Sequence, residues 1–309
     1  MKLDVLQRRA LTPQIMEFTL AAADRRALPA AEAGAHITLQ TPSGAMRRYS
    51  LVHPAEAPEA YVVAVKREPQ SRGGSASMHD AAQVGQVLDC APPENAFALG
   101  AEHPALLIAG GIGITPIYAM AQQLAAEGRA FRLVYCARDA QNAAYAAELQ
   151  ALCGARLTLH CDAGDPENAF DFWGICADPT AEHIYCCGPA PLMEEVRAVT
   201  GHWPEGRVHF EDFKPVEVVR ADDRPFMVTL QRSGQEILVP ADRSILEALR
   251  DAGHPTVSSC ESGTCGTCKC GLLAGAVDHR DRVLMEEQKQ DHIMICVSRA
   301  AAGHLVVDL

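Results

Sequence analysis

The stretch Ser258-Ser259-Cys260-Glu261-Ser262-Gly263-Thr264-Cys265-Gly266-Thr267-Cys268, with Cys296 following at a distance, decides how this chain is read. Its cysteines are spaced C-x4-C-x2-C with a remote fourth, the ligand spacing of a plant-type [2Fe–2S] cluster. Each iron of such a cluster is held by bridging sulfide and by two protein thiolates, so a full set of four cysteines is required. The residues between them are small, and Gly263 and Gly266 are expected to take positive φ, letting the loop aim backbone N–H groups at sulfur. A zinc site would show two C-x2-C knuckles or histidine partners, and neither is present. Cys260, Cys265, Cys268 and Cys296 are therefore the expected metal ligands. Cys270 is read as an extra structural thiol.

The flanking sequence predicts the domain that carries this loop. Phe226-Met227-Val228-Thr229-Leu230 and Glu236-Ile237-Leu238-Val239 flank Arg232-Ser233-Gly234-Gln235 as a hairpin. Ser244-Ile245-Leu246-Glu247 is a capping box opening a helix that Gly253 closes. With a last strand at His304-Leu305-Val306-Val307, residues 221–309 read as an α+β ferredoxin-like β-grasp.

A cluster carries single electrons, so the rest of the chain must bring them in. Residues 100–220 alternate strand and helix signals, which predicts an α/β parallel-sheet domain. Ala105–Ala109 reads as a buried strand, and Thr115 as an N-cap with Pro116 starting a helix that ends near Gly128. A second helix is expected over Asn142–Leu152. Gly110-Gly111-Ile112-Gly113 at the first strand–helix junction suits close approach of a pyrophosphate. Cys187-Gly188-Pro189 holds the same position at a later strand end, so both loops are expected to face one dinucleotide. Arg138 is placed to meet adenosine phosphate or ribose, and Asp139 to repel a 2′-phosphate, which favours NADH over NADPH. A surface ion pair is the competing reading of those two. Cys186 is read as a buried spacer.

Residues 1–99 show short strands broken by glycine and proline, including Ala35–Leu39, Arg48–Val52 and Ala60–Val65, and predict a small antiparallel β-barrel. A nicotinamide releases two electrons and the cluster accepts one, so a flavin is expected between them. Arg47-Arg48-Tyr49-Ser50-Leu51 and Arg72-Gly73-Gly74-Ser75 offer a cation, an aromatic hydroxyl and an anion cradle.

Bulk properties set the frame. At 309 residues the chain suggests two or three domains, and a net charge of −12 argues against nucleic acid as a partner. Met1-Lys2-Leu3-Asp4 is not a signal peptide, and the apolar run Pro104–Ala121 is broken by glycines and Pro116, so no membrane span is expected. Twelve cysteines without a secretory signal imply a reducing, cytoplasmic setting.

In this order the motifs resemble the phthalate dioxygenase reductase family, which includes reductases of vanillate-type O-demethylases. The resemblance covers nearly the whole chain and rests on Arg47–Leu51, Arg72–Ser75, Gly110–Pro116, Cys187–Pro189, His209–Phe213 and the four cluster cysteines. It implies an FMN-binding barrel, an NAD domain and a C-terminal plant-type ferredoxin domain. It places Arg47, Tyr49, Ser50, Gly74 and Ser75 at flavin-contacting positions, with Val65 and Lys66 on a strand passing the flavin. Thr115 is placed to reach the flavin from the neighbouring domain, and Phe213 is the aromatic beside its ring. Arg47 is preferred over Arg48 by motif register. The family passes electrons to a separate, usually Rieske-type, oxygenase. The competing expectations are a reductase serving a P450 or soluble ferredoxin, and an iron–sulfur redox sensor without turnover.

Overall fold

The computed structural model describes the chain except residues 70–72, 101–102, 205, 214–219, 221, 259–262, 264–265 and 267. The chain forms two compact units, Met1–Glu211 and Asp212–Leu309. Within the second unit the Asp212 carboxylate is gripped by Arg282.

The first unit opens with β1 (Lys2–Ala10), β2 (Ile15–Ala22), β3 (His36–Gln40), β4 (Met46–Ser50), β5 (Tyr61–Lys66), helix α1 (Gly74–Ala81) and β6 (Val87–Asp89). Among the described residues, β5–β2–β1–β6 make one antiparallel sheet and β3–β4 a hairpin. Bridges Leu51–Val63 and Leu39–Cys90 join the hairpin to both ends of the sheet and close the barrel. Closure follows from period-two patterning: Leu3, Val5, Phe18, Leu20, Ile37, Leu39, Val63 and Val65 point into one core.

The same unit continues through β7 (Ala105–Gly110), α2 (Ile114–Ala126), β8 (Phe131–Ala137), α3 (Ala146–Cys153), β9 (Leu157–Cys161), α4 (Trp173–Cys176), β10 (His183–Cys187), α5 (Ala190–Thr200) and β11 (Val208–Glu211). All pairings are parallel, in the order β11–β10–β7–β8–β9. β7 is buried along its length because helices cover both faces. Leu107 and Ala109 pack with Tyr118 and Leu124 on one side, Leu106 and Ile108 with Phe172 and Val196 on the other. Strand order reverses between β7 and β10, and that switch point is where open α/β sheets bind ligands.

The second unit comprises β12 (Phe226–Leu230), β13 (Glu236–Val239), α6 (Ile245–Asp251), β14 (Lys269–Ala274), β15 (Val277–Asp278), β16 (His292–Met294), β17 (Arg299–Ala300) and β18 (His304–Val307). Its main sheet runs β13–β12–β18–β14–β16, with β12 and β18 parallel. The hairpin and capping box form as expected: Ser244 Oγ accepts the Glu247 amide at 3.2 Å, and Glu247 accepts the Ser244 amide at 2.8 Å. Ile245, Leu246 and Leu249 seat α6 on the sheet against Phe226 and Val228. Among the described residues no helix is long and apolar enough to cross a membrane.

Candidate cofactor sites

β4 and the start of α1 build the first site. Alternation along β4 puts Arg47 and Tyr49 on one face and Arg48 on the other. A Cβ placed on Gly74 would lie 2.8 Å from Arg47 Nε, so the glycine lets the guanidinium lie flat against the first turn of α1. The geometry therefore brings Arg47, and not the exposed Arg48, to the Gly73–Gly74 turn. Arg72 lies outside the described residues. Ser75 Oγ accepts the Glu68 amide at 3.1 Å, Val65 is buried, and Lys66 pairs with Glu68 at 3.0 Å. Sequence reasoning missed His79, whose ring Nε2 donates to the Val65 carbonyl at 2.8 Å and docks α1 on β5; a lone histidine carries no signal for this.

Two hydroxyls at the end of β4, Tyr49 Oη and Ser50 Oγ, are buried with no hydrogen-bond partner among the described residues. Burial pushes the Tyr49 phenol up to about 12, partly offset by Arg47, so it remains a protonated donor at neutral pH. Buried polar groups without partners are rare and call for an occupant. A cation beside a glycine turn and two orphan hydroxyls suit a flavin mononucleotide, whose phosphate and polar ring edge meet those needs.

The second site is at the switch point. A Cβ on Gly113 would sit 2.2 Å from the Cys187 carbonyl oxygen, and one on Gly110 would sit 2.5 Å from Pro189 Cδ. The two loops that the sequence assigns to one dinucleotide thus interlock, each requiring the other's missing side chain. Gly111 is steadied by Tyr135, whose hydroxyl donates to its carbonyl at 3.3 Å. Gly188 packs on the Gly110 backbone, and Pro189 opens α5.

Thr115 is not the helix N-cap expected of it. The tight turn at Gly111–Gly113 already winds the chain, so α2 starts at Ile114 with Gly113 as its cap. The Thr115 hydroxyl donates to the Ile112 carbonyl at 3.0 Å inside the helix. The helix expected from Asn142 begins instead at Ala146, because Asp139 captures the Gln141 and Asn142 amides and the Asn142 side chain. Asp139 therefore caps a turn and does not pair with Arg138. Arg138 is exposed and lies over Gly164. Cys186 and Cys187 belong to cores on opposite faces of the sheet, and burial pushes the Cys186 thiol up, as for a spacer.

Of the expected cluster ligands, Cys260 and Cys265 lie outside the described residues. Cys268 and Cys296 are buried in one core, and the Ile295 amide donates to the Cys268 carbonyl at 3.3 Å, bringing the two segments together. Gly263 and Gly266 have φ of 72° and 81°, the left-handed backbone expected of them. Two buried thiols served by a loop of this conformation suit an iron–sulfur cluster. The Cys270 thiol is pushed up to about 11 by burial and faces the Asp308 carbonyl, as for a structural residue. Phe213, near the start of the second unit, is 42% exposed.

This order of barrel, nucleotide sheet and β-grasp defines a multidomain iron–sulfur oxidoreductase dependent on a pyridine nucleotide. Residues 107–164 match the oxidoreductase NAD-binding domain, and residues 228–301 match the 2Fe-2S iron-sulfur cluster binding domain. The chain is 45% identical to phthalate dioxygenase reductase of Burkholderia cepacia over 100% of its own length and 97% of that protein's. A solved structure of phthalate dioxygenase reductase, described as modular for electron transfer from pyridine nucleotides to [2Fe-2S], superposes with a TM-score of 0.74, covering 100% of this chain and 98% of that one, at 45% identity. An intact type IV self-sufficient cytochrome P450 monooxygenase superposes over 100% of this chain and 41% of its own, at 33% identity and a TM-score of 0.77. The chain belongs to the phthalate dioxygenase reductase family.

Proposed function

We propose that the protein is the NADH-dependent reductase component of an oxygenase system, delivering electrons through FMN and a [2Fe–2S] cluster to a separate Rieske-type oxygenase. The observation that carries this reading is the full-length 45% match to a dioxygenase reductase. When bound, a flavin accepts an electron pair and releases it singly, and the cluster carries single electrons onward.

The chain's own residues bind and orient. Arg47 and Arg72 hold the flavin phosphate with the turn at Gly73, Gly74 and Ser75. Tyr49 and Ser50 donate to its polar edge, and Val65 and Lys66 line the strand beside it. Thr115 supports the start of α2, and by the family pattern Phe213 is the aromatic beside the flavin ring. Gly110, Gly111, Gly113, Cys187, Gly188 and Pro189 admit the nucleotide backbone, while Arg138 and Asp139 meet its adenosine end. Cys260, Cys265, Cys268 and Cys296 hold the cluster. No side chain acts as an acid or base. A reducing, cytoplasmic setting is part of this proposal, supported by twelve cysteines in one chain.

The likeness to a P450 monooxygenase that contains a comparable segment favours one second reading, in which the electron acceptor is a haem enzyme. The test of the main proposal is Cys296→Ser. It should abolish cluster-dependent reduction of cytochrome c and leave NADH-dependent flavin reduction in place. Equal loss of both would contradict the sequential path.

A further inference from the structure

Glu17 on β2 is buried, and the cofactor sites make no use of it. Two side chains converge on its carboxylate. Arg9, its cross-strand neighbour on β1, donates from Nε at 2.9 Å and from Nη2 at 3.1 Å. Tyr145, at the start of α3 in the nucleotide half, donates its hydroxyl at 2.8 Å. Arg9 also reaches Glu148 of α3 at 3.1 Å.

Tyr145 holds a left-handed backbone, φ 60° and ψ 16°, which a bulky side chain adopts only where its surroundings enforce it. Its ring packs on Tyr118 of α2 with centroids 5.1 Å apart, and both rings are buried. Around this clamp the barrel's Ile15, Val52 and Ala64 share one core with α2 and α3. One turn along α2 from Tyr118, Gln122 donates to the Val52 carbonyl at 2.8 Å. Glu17 pairs across the sheet with Ala64, next to Val65 on the strand assigned to the flavin.

We propose that Tyr145, acting through Glu17 and Arg9, is a positioning residue for hydride transfer: it fixes the nucleotide half against the flavin barrel. The inference rests on the proposed function, in which nicotinamide and flavin meet across these two halves. The strained tyrosine and the buried carboxylate are then the structural cost of one defined angle between them. Hydride transfer falls steeply with donor–acceptor misplacement, so a seam allowed to slide loses rate before it loses binding.

The experiment is anaerobic rapid-mixing reduction of holoprotein by NADH and by 4-deuterated NADH, comparing the parent with Tyr145→Phe. The substitution keeps the ring and removes one hydroxyl. The expected result is a flavin-reduction rate lower by about tenfold, a more temperature-dependent isotope effect, an unchanged NADH dissociation constant and unchanged cluster spectrum. In flavin-free protein, amide hydrogen exchange at Ile15–Glu17 and at the start of α3 should accelerate selectively. Glu17→Gln, which keeps an acceptor for Tyr145 but weakens Arg9, should fall between the two and serves if Tyr145→Phe does not fold. Parent-like rate and isotope effect in both variants, with only a lower melting temperature, would overturn the inference. A parent protein whose flavin NADH does not reduce would instead overturn the proposed function.

Discussion

Gly263 lies against Val297, the residue after Cys296, the fourth ligand proposed for the cluster: a Cβ on the glycine would sit 2.7 Å from Val297 Cγ2 and 3.1 Å from the Asp281 backbone. The Arg282 amide donates to the Gly263 carbonyl at 2.9 Å, so the loop is pinned at the point where it passes Cys296. Gly263→Ala meets both this contact and a left-handed φ. It should destabilise the cluster loop by about 2 kcal/mol or more. Purified variant should carry less iron and acid-labile sulfide per chain while flavin content holds; parent-like cluster content would contradict this.

The interlocked glycines of the nucleotide site make a second prediction. Gly113→Ala drives a methyl into the Cys187 carbonyl, backbone that cannot swing aside. The loops after β7 and β10 must separate, at a cost of about 3 kcal/mol, and the NADH dissociation constant should rise at least about tenfold. Isothermal titration with NADH reads this directly, and parent-like affinity would remove the close approach from the account.

The orphan hydroxyls separate ligand binding from folding. Ser50→Ala removes a buried polar atom that has no protein partner among the described residues, so flavin-free protein should keep or gain up to about 1 kcal/mol of stability. The same substitution should weaken FMN binding by several-fold, measured by fluorescence quenching. A variant that loses apoprotein stability and keeps flavin affinity would show that Ser50 serves the fold instead.

In the second unit Arg280 donates to Asp223 at 2.8 Å and holds its carboxyl down at about 2, against burial, which acts the other way. A carboxyl lowered from 3.8 stabilises the fold fully above about pH 4 and loses that contribution as pH falls toward 2. The contribution is about 2 kcal/mol. Asp223→Asn leaves the buried Arg280 and Arg299 short of counter-charge and should lower stability near neutral pH by about 3 kcal/mol. It should also flatten the acid limb of a melting-temperature profile; an acid limb unchanged in the variant would assign it to another group.

Much of this molecule was legible from local signals. The Ser244–Glu247 capping box, the hairpin before it and the glycine-rich turns at the strand ends each act over a few residues, and each formed as read, while of the cysteine motif only Cys268 and Cys296 fall among the described residues. The errors lie where neighbours a few positions away compete. Thr115 sits inside α2 because the turn at Gly111–Gly113 starts the winding early, and Asp139 diverts Asn142 from α3. The long strands β1 and β2 went unread because Gln7, Arg8 and Arg9 and a bulge after Val5 blur their alternation. The Glu17–Tyr145 clamp joins residues 128 positions apart, and no local pattern announces it. The motif register alone preferred Arg47 over Arg48, and the packing of Arg47 on Gly74 adds a geometric reason for the same choice.

The central claim is a relay from pyridine nucleotide through flavin to cluster, and an anaerobic visible-spectrum titration of the holoprotein with NADH tests it most directly. The account predicts early loss of flavin absorbance followed by partial bleaching of the iron–sulfur bands. Cluster bands that stay unchanged while no flavin absorbance is present or lost would contradict it and leave an iron–sulfur protein that does not turn over nucleotide.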